Sequence, residues 1–239
     1  MSNQPHTTRA DPRNDPAAAT RVTWPDLAVT IAIAIVLYLI GILLLLQVPQ
    51  EDTVVAGLAQ FAVSGLAPLG AVLLTLAVRK RKLAHFGITR VAPKWLAIAF
   101  VIGLGVVAMN IGITSLVSAT TDAADVQADY QSAATSGVAG FVGAVLLGAI
   151  LTPIGEEFLF RGVVFTLLTR YGVWIAVILS AAIFALSHGV NLATPVAFVV
   201  GVSAALLMNK TKSVWPGVVV HAVNNASSTI ISVIYFQLS

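Results

Sequence analysis

The run from Trp24 to Gln47 is apolar and long enough to cross a bilayer, and it is the first of a series. A helix needs about 20 apolar residues to span the hydrocarbon core. Val54–Val78 and Trp95–Val117 meet that requirement next. From Gly137 the chain is apolar again, in pieces read as Ile154–Arg170, Val173–His188, Pro195–Met208 and Val214–Phe236. In lipid every backbone N–H and C=O must pair inside the protein, which leaves helices as the way to build so many consecutive spans. The expected fold is therefore all-α: a polytopic transmembrane bundle of about seven to eight helices.

Composition agrees. Of 239 residues 58% are hydrophobic and 10% charged, with a mean hydropathy of +0.93. Soluble domains carry about 25% charged residues, so a globular domain with one anchor is excluded. The absence of cysteine excludes disulfides and thiolate metal sites. The net charge of +3 comes from basic residues in loops beside the spans, and nucleic acid is not an expected partner.

Three regions follow. Residues 1–23 are polar and read as a disordered tail, 24–136 as amino-terminal transmembrane helices, and 137–239 as a catalytic helical core. A polar loop containing Asp122, Asp125 and Asp129 precedes the core, and Pro153 is expected to break or kink it. Arg9, Arg13, Arg21, the run Arg79 to Lys82, Arg90, Lys94, Arg170, Lys210 and Lys212 all fall on one side of the alternating spans. Glu51, Asp52 and the three aspartates fall on the other. By the excess of Lys and Arg in cytoplasmic loops, the amino terminus is inside and the carboxyl terminus outside. The basic run itself reads as topology alone. The short chain, with minimal loops and no sorting signal, points to a bacterial plasma membrane.

Glu156 and Glu157 stand side by side in one of the most apolar stretches, Leu151 to Phe165. An ionisable residue at membrane depth costs about 2.5–3.5 kcal/mol on insertion scales and marks a functional site by default. On a helix, Glu157 and Arg161 share a face and can pair. Glu156 lies about 100° away and is left for a reaction partner, as a general base or acid. Tyr171-Gly172 folds the next helix back, and Glu156 and His188 are equidistant from Gly172, so the hairpin places them at one depth. Phe184, one turn before His188, can wall the pocket. His221 and Asn225 share a face of the last helix, with Asn224 turned aside. Asn191 reads as a turn or capping residue. A glutamate, two histidines and an asparagine can thus meet around a water, or a metal-bound water, and polarise a peptide carbonyl. One tension remains: His188 is about 24 Å from its turn, whereas His221 is only about 10 Å from Val214.

The chain resembles the CPBP family, the CAAX proteases and bacteriocin-processing enzymes also called the Abi family. The resemblance rests on three motifs: Glu156-Glu157-Phe-Leu-Phe-Arg161, Phe184-Ala-Leu-Ser-His188 and His221-Ala-Val-Asn-Asn225. It runs from about Gly137 to the end. It implies an intramembrane endopeptidase of the type II CAAX prenyl protease kind, with a membrane-associated protein or peptide as substrate. By that analogy Glu156 and His188 activate the attacking water, while His221 and Asn225 stabilise the oxyanion or complete the site. Glu157, Arg161 and Phe184 are supporting residues. Zinc on Glu156, His188 and His221 and a metal-free glutamate mechanism both stay open. Prenylated CAAX proteins are the eukaryotic case; in bacteria a peptide precursor or membrane-protein segment is expected, cut near the cytoplasmic face.

Other classes explain these residues less well. A serine protease built on Gly201-Val-Ser203 would leave the glutamate pair unexplained, and those small residues favour close helix packing. An aspartyl protease is excluded because no aspartate follows Asp129. A non-catalytic scaffold or bacteriocin immunity protein of the same fold remains as an alternative, as does a proton-coupled transporter using Glu156 and His188 as a relay.

Overall fold

A computed structural model of the chain describes residues 22–118, 128–191 and 193–238. The tail up to residue 21, with Arg9, Arg13 and Arg21, and the loop residues Asp122 and Asp125 lie outside the described residues. The described chain is helical, with short connections: α1 (Trp24–Leu45), α2 (Thr53–Val78), a 3-10 turn (Leu83–Phe86), α3 (Pro93–Ser118), α4 (Ala128–Thr135), α5 (Val138–Tyr171), α6 (Val173–Leu186), α7 (Ala193–Thr211) and α8 (Trp215–Leu238). Six of these helices, α1, α2, α3, α5, α7 and α8, are long and apolar enough to cross a membrane. The 14-residue α6 is not, being of the length typical of buried or re-entrant segments. The expected multi-pass helical bundle is what forms.

Small residues bring the helices together, as they do where lipid supplies no hydrophobic drive between them. Ala71, Ala99, Ala176, Ala181, Ala204 and Ala205 are fully buried, while Leu43, Leu44, Val78, Val101 and Leu116 face outward. Helix α5 runs through the middle, packed by α2, α6, α7 and α8. It crosses α2 so closely that a Cβ on Gly155 would meet the carbonyl of Gly65. Gly201 packs on Ala181, and Ser203 is only half-buried, in keeping with a packing role for that segment.

The break expected at Pro153 is absent. Helix α5 continues through it by changing its winding, with π-helical turns over Val145–Leu151 and Phe158–Phe165 flanking an α-helical stretch, Thr152–Glu157. The N–H of Thr152 reaches back five residues to the carbonyl of Leu147. On that register position 153 would serve Gly148, but proline has no N–H. Asn225 on α8 supplies the missing donor, its Nδ2 lying 3.0 Å from the Gly148 oxygen. A proline in one helix is thus answered by an amide from another.

Three further departures from the sequence reading concern polar residues. The expected loop through Asp129 contains α4, where Asp129 accepts from Gln60 Nε2 at 2.7 Å. The basic run does more than set topology: Asp26, fully buried, accepts from Arg79 Nε at 3.0 Å and from Arg81 Nη2 at 2.8 Å, clamping α1 to the end of α2. The depth tension resolves because α8 begins inside the protein. Ser213 and Val214 are fully buried. Val214 N–H donates to Gly87 O at 2.9 Å and Ser213 Oγ to Thr89 O at 2.7 Å. The hairpin tip between α5 and α6 stays exposed at Tyr171 and Trp174.

Candidate active site

Glu156 stands at the end of the α-helical stretch of α5, flanked by π turns that re-aim the side chains on either side of it. Its Oε2 lies 4.0 Å from His188 Nε2 and 3.8 Å from His221 Nε2. Three helical segments distant in sequence therefore deliver one carboxylate and two imidazoles to one place. His188 sits just past the end of α6, where its Nδ1 is 2.9 Å from the carbonyl of Phe184. A carbonyl only accepts, so Nδ1 carries the proton and Nε2 offers its lone pair toward Glu156. Asn191 closes the turn: Nδ2 donates to His188 O at 2.6 Å, and Oδ1 accepts from Ala193 N at 2.8 Å.

Beneath Glu156 lies a fully buried ionic layer. Glu157 and Arg161 are both fully buried, with Oε1 and Nη1 3.0 Å apart. Glu157 Oε1 is also 3.4 Å from His221 Nδ1. The guanidinium carbon of Arg161 stacks 4.5 Å from the centre of the Phe184 ring, and that ring meets His188 and His221 edge-on at 4.8 and 5.5 Å. Phe184 thus orients three polar groups as well as filling space. Gly217 admits this layer: a Cβ there would come within 2.6 Å of Glu157 Oε2. The split expected between the two glutamates holds in the geometry, with Glu157 bound to Arg161 and Glu156 lining a cavity of about 840 Å³.

Asn225 also lines the cavity, but one amide hydrogen is committed to Gly148 O, and its Oδ1 accepts from Asn224 Nδ2 at 3.3 Å. Asn224, set aside on the helical wheel, is buried and faces the cavity, where its Oδ1 accepts from Asn110 Nδ2 at 3.2 Å. Asn110 on α3 was not singled out from the sequence. The signal for Asn224 was the repeat of polar residues at His221, Asn224 and Ser228, which continues one face of α8.

Glu156, His188 and His221 have the donor types of a catalytic zinc site. Ligands bound tetrahedrally at about 2.0–2.1 Å sit roughly 3.3–3.5 Å from one another, closer than the 3.8 and 4.0 Å found here. As spaced they do not fit the ion, and among the described residues no group of His, Cys, Asp and Glu forms a metal cluster.

Residues 138–227 match a family model described as Rce1-like, the type II CAAX prenyl endopeptidase Rce1-like family. No curated protein and no solved structure matches the chain. The matched stretch holds every side chain of the glutamate–histidine cluster together with Phe184, Arg161 and Asn225. Residues 138–227 are therefore similar to the type II CAAX prenyl endopeptidase Rce1-like family, over the stretch that carries the three motifs.

Proposed function

We propose that this chain is an intramembrane endopeptidase that cleaves a membrane-associated protein or peptide by glutamate-activated water. The observation that carries the reading is the approach of Glu156 Oε2 to both histidine Nε2 atoms, at 3.8 and 4.0 Å, on the wall of a large cavity. Those separations leave room for one water hydrogen-bonded among the three groups.

Glu156 takes one proton from that water as its oxygen bonds to the scissile carbonyl carbon. The carbonyl electron pair moves onto its oxygen, giving a tetrahedral oxyanion. Collapse expels the amine, which leaves with the proton held by Glu156. His188 accepts the water's second hydrogen at Nε2 and so aims its lone pair. Asn225 keeps one amide hydrogen beyond the one spent on Gly148, and with His221 it faces the developing oxyanion. Glu157 and Arg161 act at one remove, by holding His221.

The test is cleavage of a library of membrane-tethered peptides by purified protein. Wild type should cleave and Glu156→Gln should not. Equal cleavage by both would leave the non-catalytic scaffold as the better reading.

A further inference from the structure

The chamber has a closed end and an open end, and the two are not equivalent. From the level of Glu156 and His221 its lining extends toward the end of the bundle remote from the basic loops: Phe61 and Ser64 early in α2, Asn110 and Thr114 late in α3, Tyr130 in α4, and α8 as far as Tyr235. No residue of 79–94, 170–172 or 209–215 lines it. Toward those loops the site is sealed by Phe86, Glu157, Arg161, Ser213 and Val214, none of which has any exposed surface.

A polar lane leads the other way. On α8 it runs through His221, Asn224, Ser228, Ser232 and Tyr235, spaced by three or four residues and so on one face. Asn110 on α3 meets it, 3.2 Å from Asn224 Oδ1 and 3.5 Å from Ser228 Oγ, and Thr114 follows one turn on. Polar side chains held at membrane depth face the bundle interior or a water-filled cavity, and these face the chamber. The closed end carries Lys80, Lys82, Arg90, Lys94 and Lys210, whereas the α1–α2 connection at the other end carries Glu51 and Asp52. The excess of Lys and Arg places the closed end in the cytoplasm.

We propose that the chamber opens to the extracytoplasmic side and receives its substrate there, as an extended segment of a membrane-anchored or exported polypeptide. This rests on the endopeptidase reading and reverses the expectation of cutting near the cytoplasmic face. The lane supplies hydroxyls and amides to an extended backbone, and the sealed ionic layer stops the peptide at Glu156.

The chain has no cysteine, so single reporters can be placed without background. Ser232→Cys and Thr114→Cys mark the mouth; Lys82→Cys and Lys210→Cys mark the closed end. Right-side-out and inverted membrane vesicles are treated with a membrane-impermeant maleimide, using only variants whose unfolding midpoint in detergent matches that of the wild type. The mouth reporters should label in right-side-out vesicles and lose labelling in sealed inverted ones, with the loop reporters doing the reverse. Mouth labelling from the inverted side, or from neither side, overturns the proposal. Because labelling needs no turnover, it is read independently of Glu156→Gln, and failure of one test is not failure of the other.

Discussion

Glu157 Oε1 lies 3.4 Å from His221 Nδ1 and 3.0 Å from Arg161 Nη1, so one buried carboxylate serves a histidine at the site and an arginine beneath it. That double duty explains why two adjacent glutamates are needed. One faces the cavity, and the other holds the histidine that the first one meets.

Loss of either partner strands a charge in a fully buried layer. Glu157→Ala and Arg161→Ala should each destabilise the protein by about 3–5 kcal/mol. The double replacement Glu157→Leu/Arg161→Met should recover much of that stability yet leave cleavage impaired, because His221 then lacks its carboxylate. Unfolding midpoints in detergent, measured beside cleavage rates, check both halves.

Glu156→Gln should behave in the opposite way. Among the described residues no Arg or Lys forms an ion pair with Glu156, so the unfolding midpoint should stay close to wild type. The cleavage rate should fall by about 10²–10⁴-fold or more, the usual contribution of general acid–base catalysis. A stable, fully active variant would refute its role.

The amide of Asn225 has a structural and a chemical task that can be separated. Asn225→Ala leaves the Gly148 carbonyl without a donor, at a cost of about 1–3 kcal/mol. Pro153→Ala restores a backbone N–H to that position. In the double variant stability should return while kcat stays low and KM changes little. If kcat returns as well, Asn225 acts only on the fold.

The donor spacing predicts that cleavage survives exhaustive chelation and that the purified active protein holds less than one equivalent of zinc. Metal analysis with chelator titration reads this directly. Loss of activity restored by added zinc would show that Glu156, His188 and His221 close up around an ion.

Much of this was legible in the residues. The apolar runs set the spans, because lipid permits few alternatives to a helix. The equidistance of Glu156 and His188 from Gly172 set their common depth, because a helical hairpin folds back on itself. Their 4.0 Å approach agrees with that common depth. The i,i+4 spacing of Glu157 and Arg161 foretold their ion pair for the same local reason.

Where the reading failed, the cause was long-range. Helical periodicity assumes 3.6 residues per turn, and the π turns around Pro153 change that count. No local pattern announces that Asn225 will answer a proline 72 positions earlier. Asn224 and Asn110 joined the site because α3 packs on α8, a pairing that spacing along one chain does not encode. Sequence by itself determined a helical membrane protein with Glu156 and His188 at one level, because hydropathy and turn symmetry act locally; the level of His221 came from the packing of α8. Tertiary packing alone decided which end of the chamber is sealed. That depends on where α8 begins against the loop at Gly87 and Thr89, a contact between residues more than a hundred positions apart.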